Sequence, residues 1–339
     1  MFKKIIASRR KWIGYFIAVV LLHIVGLIGL LTVVDANPAF WSLGLLAYTL
    51  GLRHAFDADH IAAIDNTVRK LIQQKQNPLG VGFYFSLGHS SVVFLMVLAI
   101  ALSIHWIQDN MPQMQEIGGT IGITVSGSFL ILIGIINLVI LYNLYKIFRK
   151  LRKGIQPTEN IEEILDNRGL LSRMIKPFLR LVSKSWHVYP LGFLFGLGFD
   201  TATEIGLLAI SAGAAKTAIS AFGILSLPIL FAAGMSLMDT ADGMFMSTAY
   251  RWAFTTPLRK LYYNVTVTSV SVVAALLIGT VELIQVLSDK LHLQSGFFQW
   301  INALDFGDLG YMLVALFILA WLISVLIWKY MKVEERMGS

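Results

Sequence analysis

The sequence predicts an all-α polytopic membrane protein with about eight transmembrane helices. Of its 339 residues, 56% are hydrophobic and only 14% charged, and the mean hydropathy is +0.71, too apolar for a soluble chain of this length. Stretches near the roughly 20 apolar residues that cross a bilayer recur along the chain, and its basic residues gather in alternate intervening segments.

The first span is expected over 13–34. It follows Lys3, Lys4, Arg9, Arg10 and Lys11 as a cleaved leader would, but its apolar run exceeds the roughly 7–15 residues of a signal core, so it reads as a retained helix. Seven further spans are expected over 38–62, 80–104, 117–145, 189–212, 217–247, 263–287 and 308–330. The second tolerates a polar interruption. Between the fourth and fifth lies the long hydrophilic stretch from Lys146 to Val188, too polar to build a core of its own. The chain therefore divides into 1–145, a cytoplasmic connecting loop over 146–188, and 189–339.

With the N-terminus inside, 24 of the 27 Lys and Arg residues fall in cytoplasmic segments and only Lys216 and Lys290 outside, with Arg53 inside the second span. Shifting the map by one helix destroys this bias, so both termini are expected in the cytoplasm. The net charge of +7 is thus read as a topology signal and not as a nucleic-acid surface. Asp65 is expected at the cytoplasmic interface, solvated.

Two short matches suggest an inverted repeat. The run from Phe56 to Ile61 resembles Phe199 to Ile205, and Ser86 to Ser90 resembles Ser236 to Thr240. Each match joins spans three apart, which cross in opposite directions, a plan that places a transport site between the halves.

Ionisable groups inside a membrane cost roughly 2.5–3.5 kcal/mol each and are functional candidates by default. The second span carries Arg53, His54, Asp57, Asp59 and His60; the third carries His89; the fifth Asp200 and Glu204; the sixth Asp239 and Asp242. On a continuous helix His54, Asp57 and His60 share one face while Asp59 points away, toward Arg53 or a supporting role behind the ligands. Asp200, Thr203 and Glu204 share a face, as do Met235, Asp239, Asp242 and Met246, and Ser86, His89 and Ser90 on the third span. Only a common interior cavity satisfies four such faces. Six acids against one permanent cation leave negative charge that a bound cation relieves. With no cysteine present, imidazole plus carboxylate favours a divalent transition metal over magnesium or calcium, without choosing among nickel, cobalt, zinc, copper and iron. His23, Asn137 and Glu282 read as packing or charge-pair groups, with His23 a candidate to face His54.

Four motifs, RHAFDADHI (53–61), FSLGHSSVV (85–93), LGFDTATEI (197–205) and GMSLMDTADG (234–243), together resemble the signatures of the nickel/cobalt transporter (NiCoT) family of membrane permeases, in that family's order. The resemblance implies eight helices, a central cytoplasmic loop, and His54, Asp59 and His60 as a His-x4-Asp-His element needed for metal uptake. The family's other polar positions map to His89, Asp200, Glu204, Asp239 and Asp242. Nickel or cobalt is then the transported substrate, with no resident cofactor, in the bacterial cytoplasmic membrane. The family's efflux branch often carries a His-rich central loop; here that loop holds only His187, which favours import. There is no G-x-x-x-x-G-K-[ST] nucleotide loop, no H-E-x-x-H element of a metal hydrolase and no soluble output domain of a sensor, so neither an enzyme nor a sensor is expected.

Overall fold

The computed structural model describes residues 2–102, 105–152, 182–198, 202–215, 219–253, 257–293, 295–304 and 306–330. Among them there are eleven α-helices and one 3-10 turn: α1 (Phe2–Val34), α2 (Phe40–His54), α3 (Ala58–Gln73), α4 (Val81–Ala101), α5 (His105–Arg152), a turn at Ser185–His187, α6 (Val188–Gly196), α7 (Ala202–Ala215), α8 (Ala221–Ala253), α9 (Pro257–Lys290), α10 (Gly296–Asn302) and α11 (Phe306–Tyr330). No strand occurs among the described residues.

Five helices are long and apolar enough to cross a bilayer, through Trp12–Val34, Val81–Ala101, Glu116–Val139, Ala221–Arg251 and Val267–Lys290, and a shorter apolar stretch covers Gly310–Ile323 of α11. The chain is a membrane protein. Phe16, Leu21 and Ile28 of α1 and Met312, Leu319 and Ile323 of α11 point outward, an apolar surface suited to lipid. The 48 residues of α5 make it about 72 Å long at 1.5 Å per residue. It therefore outruns the roughly 30 Å hydrocarbon core, extending past both expected ends of the fourth span. Most of the expected central loop, 153–181, lies outside the described residues. Its end is docked: Ser185 Oγ donates to the Asn77 carbonyl at 2.6 Å, in the turn before α4.

The second and fifth spans, expected as continuous helices, are each divided. α2 stops at His54; Asp57 takes φ −63° and ψ 140°, and α3 starts at Ala58. Asp57 thus occupies the N-cap position, where a carboxylate is favoured, yet makes no side-chain cap bond. α6 likewise stops at Gly196 and α7 starts at Ala202. His54, Asp57 and His60 gather as the sequence grouping expects, but not as one face of a continuous helix, because the helix is interrupted between His54 and Ala58. The break also carries α3 on to Gln73, so residues assigned to a cytoplasmic loop enter the bundle. Asp65 and Arg69 are fully buried and Lys70 nearly so, which corrects the reading of Asp65 as solvated.

Two apolar clusters bracket a polar layer. One joins Ile61, Ile64, Val68 and Leu71 of α3 to Val81 and Phe85 of α4, Tyr250 of α8 and Ile278 of α9. The other joins Phe40 and Ala47 of α2 to Val93 and Val97 of α4, Leu207 of α7 and Leu227 and Phe231 of α8. α4 passes from the first cluster to the second and α8 from the second to the first, so the two helices are antiparallel. Between the clusters both are polar, with Ser86, His89 and Ser90 on α4 and Ser236, Asp239 and Thr240 on α8 all buried.

Small residues bring these backbones together, as membrane helices require. A Cβ on Gly82 of α4 would lie 1.8 Å from the Asp239 carbonyl of α8. One turn on, Ser86 Oγ donates to Ser236 Oγ at 2.9 Å, so the two serines matched in the sequence repeat meet. α4 packs on the divided pair α6 and α7 as α8 packs on α2 and α3, a helix pairing that supports the repeat.

Candidate metal centre

The polar layer brings together residues from α2, α3, α4, α7 and α8. His54, the last residue of α2, His60 in the first turn of α3 and His89 in mid-α4 place one nitrogen each within 4.8 Å of the others, all three buried. His54 Nε2 lies 2.8 Å from His89 Nε2, and His89 Nε2 lies 2.8 Å from Glu204 Oε1. On its other side His54 Nδ1 faces Asp57 Oδ2 at 2.9 Å and Thr203 Oγ1 at 3.0 Å. Phe231 and Phe85 wall the cluster, their ring centroids 5.5 Å from His54 and 4.8 Å from His60.

The protons do not suffice for these contacts. If Asp57 accepts the Nδ1 proton of a neutral His54, its Nε2 is a lone pair, and His89 Nε2 holds at most one proton between that lone pair and the Glu204 carboxylate. A cation at this point satisfies all three atoms. At the roughly 2.0–2.1 Å of a metal–imidazole bond, two nitrogens 2.8 Å apart subtend about 85–90°, the cis angle of square-planar or octahedral coordination, whereas tetrahedral ligands would sit about 3.3–3.4 Å apart.

His60 and Asp239 form the other wall. His60 Nδ1 lies 3.5 Å from Asp239 Oδ2, and among the described residues neither ring nitrogen of His60 nor either carboxylate oxygen of Asp239 has a hydrogen-bond partner. Each such buried atom costs about 1–3 kcal/mol, so four on two facing side chains mark a place for a ligand. Asp242, one turn further along α8 and partly exposed, has Oδ2 buried with no hydrogen-bond partner among the described residues and interacts electrostatically with Asp239.

The helix ends shape the field. The N-termini of α3 and α7 are the positive ends of their dipoles, unfavourable toward a cation, and each carries a carboxylate in its first turn, Asp59 and Glu204. Asp59 Oδ1 accepts from the His60 backbone N–H at 2.9 Å, which holds the start of the half-helix that presents His60. This is a supporting position behind the histidines.

The structure thus assembles His54, Asp57, His60, His89, Glu204 and Asp239 of the expected residues, with Asp59 and Asp242 at the margin. Asp200 lies outside the described residues. Two expectations fail. Arg53 is exposed; Arg69 and Lys70 are buried instead, because α3 continues inward past the break. His23 does not approach His54: its nitrogens lie 2.8 Å from the Val19 carbonyl and 3.3 Å from Tyr48 Oη. Asn137 is a packing group, donating to Asn66. The sequence motifs do not point to Arg69 or Tyr250 and give Thr203 only a face shared with Asp200 and Glu204; the Asp65-x3-Arg69 spacing at helical pitch is the signal for the buried pair.

A profile of the NicO family, described as high-affinity nickel-transport protein, matches residues 40–327. The chain belongs to this family. NicO relatives include the nickel transporter NixA of Staphylococcus aureus, 57% identical over 329 residues, covering 97% of both chains. The high-affinity nickel-transport protein NixA of Helicobacter pylori is 55% identical over 94% of this chain and 97% of its own. The cobalt transport protein NhlF of Rhodococcus rhodochrous is 40% identical over 97% of this chain and 95% of its own. The family is one of transporters and not of enzymes, and nickel is its cargo rather than a cofactor. No solved structure matches the chain.

Proposed function

We propose that this NicO protein is a secondary permease that imports Ni2+, with Co2+ as a competing substrate, across the bacterial cytoplasmic membrane through the polar layer between its halves. The observation that carries this reading is the buried set His54 Nε2, His89 Nε2 and Glu204 Oε1, spaced for cis coordination and short of protons. The names of the relatives support nickel first and cobalt second.

His54, His60, His89 and Glu204 hold the dehydrated ion; Asp57, Asp59 and Asp200 neutralise and orient; Asp239 and Asp242 form the next station along α8. Both termini are cytoplasmic and eight crossings result when the divided pairs α2/α3 and α6/α7 are each counted as one. The burial of Arg69 and Lys70 removes two residues from the cytoplasmic set, but 22 against two remains a strong bias. Inward movement of a divalent ion gains about 4.6 kcal/mol per 100 mV, so the membrane potential is a sufficient driving force.

The test is accumulation of radiolabelled nickel and cobalt at nanomolar levels in cells lacking other high-affinity uptake, with His60→Ala beside the parent. His60-dependent accumulation is expected, nickel above cobalt. Accumulation below that of empty cells would reverse the direction, and no change for either metal would exclude both as cargo.

A further inference from the structure

A second buried polar assembly lies beyond the histidine cluster, where α3, α8 and α9 meet. Arg69 and Asp65 of α3 are fully buried and paired, Nη2 donating to Oδ2 at 3.1 Å. Arg69 Nε donates to Tyr250 Oη of α8 at 3.2 Å, and Nη2 donates to Ser271 Oγ and the Val267 carbonyl of α9. The Tyr250 hydroxyl in turn donates to Asp65, and the guanidinium carbon sits 5.0 Å from the Tyr250 ring centroid.

Its position relative to the metal centre gives it a second use. α3 and α8 run side by side in the same direction: His60 faces Asp239, and further along both helices Arg69 meets Tyr250. At 1.5 Å per residue these two contacts lie about 14 Å apart on α3 and about 17 Å apart on α8. Two points of contact between one pair of helices fix axial offset and rotation together. α3 needs this because the break at Asp57 leaves no continuous helical ladder from α2 to set its register. Nor do the side chains of His60 and Asp239 set it themselves, since neither has a hydrogen-bond partner among the described residues.

We propose that Arg69, Asp65 and Tyr250 are positioning residues that hold α3 in register on α8 and so set the separation of His60 from Asp239, and with it the affinity for the metal. The inference rests on reading His60 and Asp239 as cargo ligands.

The test compares Tyr250→Phe, Ser271→Ala and Arg69→Lys with the parent, and His60→Ala as control. Nickel uptake is titrated per transporter molecule in the membrane, and nickel binding to the purified protein in detergent is measured directly. Tyr250→Phe is expected at normal abundance with a half-saturating nickel concentration raised about tenfold, as for other supports behind metal ligands, a smaller change in maximal rate, and a shifted nickel-to-cobalt ratio. Ser271→Ala is expected to move the same quantities less, and it carries the test if Arg69→Lys fails to accumulate. Reduced abundance or thermal stability, with half-saturation per molecule and the metal ratio unchanged in every variant, would overturn the proposal, because a plain structural clamp behaves that way. Loss of uptake in His60→Ala alongside such unchanged variants overturns this inference alone; full uptake in His60→Ala overturns the cargo-site reading and this one with it.

Discussion

In the proposed function Asp239 is a ligand and Thr203 a support behind one, and substitution separates the two roles. Asp239 offers carboxylate oxygens with no hydrogen-bond partner among the described residues and faces His60, so Asp239→Asn keeps the shape and removes the charge; uptake at nanomolar nickel is expected to fall at least about tenfold at unchanged abundance. Thr203 touches the His54 imidazole on its Nδ1 side, its Oγ1 3.0 Å from that nitrogen. Such a contact fixes tautomer and ring orientation. Thr203→Val should raise the half-saturating nickel concentration by about tenfold, and Thr203→Ser should restore it. Identical behaviour of Val and Ser would mean the hydroxyl is not used. Asp239 is legible in the sequence because ionisable groups are rare in apolar spans, and Thr203 only through the helix face it shares with Glu204. Partners in the polar layer are not, because the pairing of His89 with Glu204 joins positions 115 apart and depends on packing.

At the scale of elements, the divided helices and the glycine contact between α4 and α8 decide the site. A half-helix presents both its side chains and its free backbone ends to the polar layer, which a continuous span does not do. Asp at an N-cap position followed by a second acid in the first turn was a start signal within the expected second span, but apolar continuity outweighed it. The glycine contact is testable. Gly82→Ala places a methyl group against the Asp239 backbone, which has no flexible end to yield, and overpacking of this kind costs about 1–3 kcal/mol. A lowered thermal midpoint in detergent and loss of uptake are expected. Gly213→Ala, where nothing lies within 4 Å, should leave both unchanged, and equal effects at the two positions would refute the close approach.

For the whole molecule, the buried charge and the membrane potential act on the same ion. In vesicles with the purified protein, an inside-negative potential of about 100 mV should drive nickel inward with up to about 4.6 kcal/mol, a gradient of roughly two thousandfold. Uptake that ignores the potential and follows an imposed proton gradient would replace electrical drive with proton exchange at the carboxylates.

The sequence alone determined the membrane class, the histidines and acids of the polar layer and the chemistry they offer a ligand, because hydropathy, charge bias and residue type are local quantities that survive without coordinates. The tertiary structure decided which of those residues meet. It broke the second and fifth spans, turned Arg53 outward and drew Arg69 inward, because the polar layer between two apolar clusters satisfies its groups only when backbone ends and side chains from five helices converge there. That convergence is set by contacts between residues far apart in the chain, of which helical periodicity carries no record.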